Sequence, residues 1–387
     1  MNKRTLKEIT RHPYFGHAVF ISLWIIINLL QAAFTELAHD EAYYWMYSQN
    51  LSWGFFDHPP MVGLLAKIGY SLFQNELGVR LLFALMGGGT ILMIYHFIPK
   101  RYRNLPFYYL IIFSIILVHA HFAGFLSIPD IPLIFFSTLF LFIYKKYLSK
   151  DTYFLAFILG IIAACMFYSK YHGVLVILLI VLSNTSLFKR KSFYLAIITT
   201  AVLMLPHLMW QIEHHFPTFT YHLVDRSSSA YKFRFTWNFI YSQLLTTGPL
   251  IGVFLLFYAF RERPENTFEK ALKFILVGFF IFFFFMSFKG RVEAHWLATS
   301  YIAIIVLSFK AIMRTSKIKN IVRMLCYISI LLIIAARIIL ATDVLPEKLD
   351  KNTQFHKWEN WAEKIADHAE GRPVLFINKY QMPSKYT

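Results

Sequence analysis

The feature that most limits what this chain can fold into is its succession of long apolar runs. They lie near 17–36, 79–99, 105–122, 131–148, 153–169, 172–187, 193–210, 238–260, 272–288, 296–313 and 321–342. A helix needs about 20 apolar residues to cross a bilayer, and a backbone in lipid must satisfy its own hydrogen bonds, as a helix does. The runs predict an all-α polytopic membrane protein with about eleven transmembrane helices. The pair 153–169 and 172–187 reads equally as one long broken span. Composition agrees, with 57% hydrophobic and only 15% charged residues, against about 25% charged in a soluble domain.

A net charge of +17 would suit a nucleic-acid binder, but the placement of the charge excludes that class. Lys and Arg gather in short segments between the runs, such as Lys100-Arg101-Tyr102-Arg103 and Lys189-Arg190-Lys191. Such clusters mark cytoplasmic loops and place the N-terminus inside and the C-terminus outside. The first run lacks a signal-peptide cleavage pattern and is expected to stay as a membrane helix. Cys165 and Cys326 fall inside apolar runs and read as small buried hydrophobes, not as a disulfide framework.

The topology rests on the basic residues alone, yet it sends the chemically unusual residues to the outer face. The first external segment reads Ala38-His39-Asp40-Glu41-Ala42-Tyr43-Tyr44-Trp45, then Phe56-Asp57-His58-Pro59-Pro60. Asp130 follows between Pro129 and Pro132, and Lys170 lies in a tight turn. Glu213, His214, His215 and Arg226 come after the seventh run, and Lys289, Arg291, Glu293 and His295 after the ninth. A loop that merely joins two helices has no need of these residues. Residues 40–50 suit a helix lying in the interface, because Asp40, Tyr43, Tyr44 and Tyr47 recur at i, i+3, i+4 and i+7. Pro59 and Pro60 hold Asp57 and His58 extended, and Pro60 can open a helix through Leu72 as its first residue.

Residues 343–387 differ in character, dividing the chain into a transmembrane domain, 1–342, and a small α/β periplasmic segment. That segment carries an amphipathic helix near 354–369, a Gly371-Arg372-Pro373 turn and a strand over 374–378. A single strand cannot bury its own face, so this domain reads as incomplete.

These motifs resemble the bacterial protein O-mannosyltransferase-like membrane glycosyltransferases of GT-C fold and their aminoarabinose-transferase relatives. Asp40 to Trp45 resembles the family's first acidic motif, Phe56 to Pro60 the motif after it, and Asp130-Ile131-Pro132-Leu133 the second acidic motif. Ser169-Lys170-Tyr171, Leu205 to Trp210 and Val292 to Trp296 resemble later blocks. Two departures stand out. His295 occupies a position more often Asn, and Asp57-His58 replaces the Glu-Lys of the aminoarabinose branch.

The resemblance implies transfer of a monosaccharide from a polyprenyl-phosphate donor, undecaprenyl phosphate in bacteria. The implied acceptor is lipid A, another surface glycan or a protein, on the outer face of the inner membrane. Asp40 is the expected general base, with Asp130 and Glu41 beside it in the catalytic group. Lys170, Arg226, Arg291 and His58 are expected to stabilise the leaving phosphate. Asp57, Tyr43, Tyr44, Trp210, Glu293 and His295 are expected to hold substrate. A divalent metal could sit on Asp57 with His207, His214 or His215.

Plainer readings stand beside these. Asp40 and Glu41 could only cap the surface helix. Lys170 could snorkel to the interface, and Arg337, near the outer end of the last run, could snorkel or meet the donor phosphate. A flippase for lipid-linked sugars, or a glycan polymerase or ligase, is the competing function. A transporter would place polar residues near the bilayer midplane, whereas these gather at one face.

Overall fold

The computed structural model describes residues 15–221, 231–342, 355–377 and 380–386. Arg226 and residues 343–354 therefore lie outside the described residues. Leaving short turns aside, the helices are α1 (Phe15–Ala33), α2 (His39–Gln49), α3 (Met61–Tyr70), α4 (Glu76–Phe97) and α5 (Leu105–Phe113). Then come α6 (Asp130–Ser149), α7 (Tyr153–Ser169), α8 (His172–Ser183), α9 (Lys191–Glu213), α10 (Phe233–Thr247) and α11 (Gly252–Arg261). The last are α12 (Thr267–Met286), α13 (Tyr301–Ile312), α14 (Ser316–Ala341), α15 (Trp358–Ala369) and α16 (Gln381–Tyr386). Cys165 and Cys326 are both free.

Local chemistry explains where several helices begin. The side chains of Asn75, Asn104, Thr152 and Asn266 each accept a backbone N–H three residues on, opening α4, α5, α7 and α12. That contact satisfies one of the donors a helix start leaves bare. Pro60 stands one residue before α3 as its cap, not as its first residue, and the helix ends at Tyr70 instead of Leu72.

Among the described residues, six helical stretches are long and apolar enough to span a membrane: α1, α4, α6, α9, Ala294–Ile312 and α14. α10 and α11 make a seventh only as a pair bent by 101°. The eleven expected spans are thus not eleven straight crossings. The run 105–122 is helical only to Phe113 and resumes as a π-helical turn, Val118–Phe122. The run 238–260 breaks at Gly248, whose φ of 140° suits only glycine. Hydropathy reports whether a segment can lie in lipid, not whether its backbone runs straight.

The helices pack α9 on α7, α7 on α6, α11 on α13 and α1 on α4. At the end of the bundle away from the 38–60 segment, wholly buried Lys310 meets Glu262 at 3.2 Å, Glu265 at 3.1 Å and Glu269 at 2.6 Å. This cation sits in the last turn of α13. After α15 the residues 372–377 form no strand, and none occurs among the described residues. The expected strand has no neighbour to supply a ladder. Instead α16 returns to pack on α2.

Candidate active site

Helix α2 turns two adjacent acids to unlike surroundings. Glu41 is fully buried and its carboxylate accepts five hydrogen bonds. Arg80 donates at 2.8 and 2.6 Å, the Ala38 N–H at 2.9 Å, and the Ser127 N–H and hydroxyl at 2.8 and 3.0 Å. Burial alone would raise this carboxyl, but Arg80 and the Ser127 and Ala38 donors override it and hold it below the usual range. Arg80 also binds the carbonyls of Ala32, Thr35 and Glu36. Glu41 therefore ties the loop to α1 and α4, which corrects its expected place among the reacting groups. Part of the plain reading holds for it, since its bond to Ala38 is half of a capping box.

Asp40 is exposed. Its Oδ1 accepts the Tyr380 hydroxyl at 2.8 Å, brought by the turn before α16. Asp57 accepts the Tyr47 hydroxyl at 2.5 Å and that of Tyr43 at 3.5 Å. Tyr47 also stacks on Phe55 at 3.8 Å, and His58 meets the Tyr44 ring edge-on at 5.5 Å. Tyr44 is buried beneath them, and its hydroxyl is pushed well above its ordinary range. Burial is the first cause, and the carboxylates of Asp57, Asp40 and Asp130 follow. Acids from three separate stretches thus act on one buried phenol through their charge.

A relay of hydrogen bonds anchors the 53–60 segment to α9. The His207 Nδ1 lies 2.6 Å from the Trp53 carbonyl, so it carries the proton and donates. Its Nε2 then accepts the Tyr171 hydroxyl at 3.0 Å, and that hydroxyl accepts Gln211 at 3.0 Å. Gln211 also donates to Thr218 at 2.9 Å, and Thr218 to the Phe55 carbonyl at 3.0 Å. Both His207 nitrogens are engaged. The exposed His214 bonds the Trp210 carbonyl at 2.9 Å and stacks on its ring at 4.3 Å. Trp210 itself lies so close to Gly54 that a Cβ there would stand 2.3 Å from the indole.

Asp130 opens α6 and is buried. Lys170, at the extended break after α7, donates to its Oδ1 at 2.8 Å. Across from it, His295 Nε2 lies 4.0 Å from Oδ2. His295 stacks on His121 of the π-helical turn at 4.4 Å, with the rings 6° from parallel. His121, Asp130 and His295 are the group among the described residues that could hold a metal, with ligand atoms within 4.8 Å of one another. Parallel rings direct their in-plane lone pairs side by side, so a shared ion would need one ring to turn. The expected set of Asp57, His207 and His214 is not brought together as such a group, and this corrects it.

Arg291 pairs with Glu293 at 3.0 Å on an exposed stretch just before His295. The structure therefore gathers Asp40, Asp57, Asp130, Tyr43, Tyr44, His58, Lys170 and His295 at one end of the bundle. The sequence reading missed Arg80, His121 and Tyr380, and gave Tyr47 and Tyr171 no role in the site. Two signals were present. A charge such as Arg80 inside an apolar run needs a partner, and His119-Ala120-His121 interrupts another run with two polar rings.

Residues 57–210 match the family described as dolichyl-phosphate-mannose-protein mannosyltransferase. The lipid A galacturonosyltransferase RgtD of Rhizobium johnstonii is 25% identical over 313 residues, covering 74% of this chain and 63% of that protein. An uncharacterized protein of Aquifex aeolicus is 26% identical over 279 residues, covering 68% of this chain and 54% of its own length. The chain thus spans less than two thirds of either relative. Among solved structures, ArnT from Cupriavidus metallidurans bound to undecaprenyl phosphate superposes with a TM-score of 0.67 at 15% identity, over 97% of this chain and 74% of that one. Its apo form gives 0.63 at 16% identity, over 95% and 73%. At these identities the likeness carries the fold alone.

Proposed function

We propose that this chain, a member of the GT-C family of aminoarabinose-transferase-like glycosyltransferases, moves one sugar from a polyprenyl-phosphate carrier to lipid A. The family match supports the transfer. A relative that acts on lipid A and a fold neighbour bound to undecaprenyl phosphate support the acceptor and the carrier. The observation that carries the reading is a meeting of acids at one end of an apolar bundle: Tyr380 on Asp40 packs against Tyr43, Tyr43 and Tyr47 bond Asp57, and Ile128 and Ile131 beside Asp130 pack with Tyr44 and Tyr47. A carrier's tail stays in the bilayer while its phosphate and sugar reach that end, which on this reading faces the periplasm.

The acceptor hydroxyl oxygen attacks the anomeric carbon. The bond from that carbon to the phosphate oxygen breaks, and its electron pair leaves with the phosphomonoester. Asp40 takes the hydroxyl proton. Its Oδ1 is held by Tyr380, its Oδ2 receives no donor from the described residues, and the side chain is open to solvent. Asp130 is the weaker candidate, because Lys170 already occupies it. Lys170 and Arg291 supply fixed positive charge that stabilises the leaving phosphate most when its charge is largest. Direct displacement inverts the anomeric centre.

Incubating the purified protein with labelled undecaprenyl-phosphate sugar and lipid A tests this directly. Labelled lipid A is the expected product, and Asp40→Asn should abolish it. Movement of the lipid-linked sugar across vesicles without any transfer would replace this reading with transport.

A further inference from the structure

Each cation that is buried among the described residues meets a carboxylate. Arg80 has Glu41, Lys170 has Asp130, and Lys310 has three glutamates. Arg337 differs. It lies near the end of α14, four residues before Ala341, about 6 Å along a helix rising 1.5 Å per residue. Its Nε donates to Gln31 Oε1 at 3.1 Å and its Nη2 to Asn28 Oδ1 at 2.9 Å, both on α1. Its Nη1 meets His119 Nδ1 at 3.2 Å. The other nitrogen of His119 faces the Phe113 carbonyl at 2.8 Å and so carries the proton, leaving Nδ1 to accept. Asn28 is held in turn by the Ala123 carbonyl.

All three ligands are neutral, and no carboxylate among the described residues reaches the guanidinium. A snorkelling arginine extends alone toward water. This one is clamped by side chains from two other elements and lies over the rings of Trp24 and Phe125 at 5.9 and 5.7 Å. Three of its five N–H groups are used, so two remain to bind an anion. Exposed apolar residues flank the cluster, with Ile27 and Leu30 on α1, Phe34 just past its end, and Ile334 and Ile338 on α14. A fixed guanidinium near the end of a membrane helix, bordered by apolar side chains, matches a phosphate with acyl or prenyl chains attached.

We propose that Arg337, oriented by Asn28, Gln31 and His119, is a binding site for the phosphate of an anionic membrane lipid. It is distinct from the Asp40 and Asp130 site. The two meet at the π-helical turn, where His119 faces Arg337 and His121 faces Asp130. The site does not depend on the transfer reaction.

Native mass spectrometry of the full chain, titrated with phosphatidylglycerol, undecaprenyl phosphate, phosphatidylcholine or inorganic phosphate, tests the site. The wild type should retain one anionic lipid about tenfold more tightly than phosphatidylcholine, and Arg337→Gln should lose that preference. Retention of undecaprenyl phosphate alone identifies a monoester site, and retention of both anionic lipids a general phosphate site; each supports the proposal. Asn28→Leu keeps the cation but removes a ligand, and should weaken retention if Arg337→Gln fails to fold. Equal retention by wild type and the folded variants, or binding of inorganic phosphate without either lipid, overturns the site.

Discussion

Arg80 Nη2 and Glu41 Oε2 meet at 2.6 Å with neither side chain exposed, one residue from an Asp40 that faces solvent. Successive residues on a helix point about 100° apart, so adjacent acids can serve unlike purposes. Arg80→Met should strand the Glu41 carboxylate in the interior, at about 3–5 kcal/mol. The expected result is a markedly lower melting temperature in detergent, largely restored by adding Glu41→Leu.

Asp40→Asn should leave the melting temperature unchanged while transfer falls by about 10²–10⁴-fold. A variant that melts normally and still transfers sugar would remove Asp40 from the reaction.

Lys170 and Asp130 share one buried contact at 2.8 Å. Lys170→Met and Asp130→Asn should each depress transfer, and their effects should not add. A double-mutant cycle on transfer rate should show coupling of about 0.5–3 kcal/mol. Additive effects would mean that the pair does not act as a unit.

Gly54→Ala places a methyl 2.3 Å from the Trp210 indole, an overpacking worth about 1–3 kcal/mol. The 53–60 segment must shift, carrying Asp57 and His58 with it. The expected signature is a raised KM for the donor, partly recovered by adding Trp210→Leu.

The Lys385 ammonium lies 4.0 Å from Glu36 and against the Trp358 ring. Burial pulls it down from 10.5 to about 8, against the opposing pull of Glu36. The docked α16 therefore holds fewer protons than the undocked segment between these values. Docking should strengthen as pH rises from about 8 toward 10.5 and carry the full burden of the charge below about 8. Proteolysis within 380–386, compared with Lys385→Met to remove the protease's own pH dependence, should slow over that window in the wild type only.

Sequence by itself determined the membrane class, since hydropathy summed over twenty residues needs no knowledge of neighbours. It also located the acidic motifs, the aromatic surface helix, Asp130 and Lys170, because motif residues are read in order along the chain. Tertiary structure alone decided which of these side chains meet. Glu41 finds Arg80 on α4, His295 finds His121 on a π-helical turn, and Asp40 receives Tyr380 from the far end of the chain. Apolar runs also concealed the breaks at Gly248 and after Phe113. The physical reason is common to all of these. Burial in lipid is a property of a segment, whereas an ion pair, a ring stack or a bend depends on which faces of distant segments are pressed together.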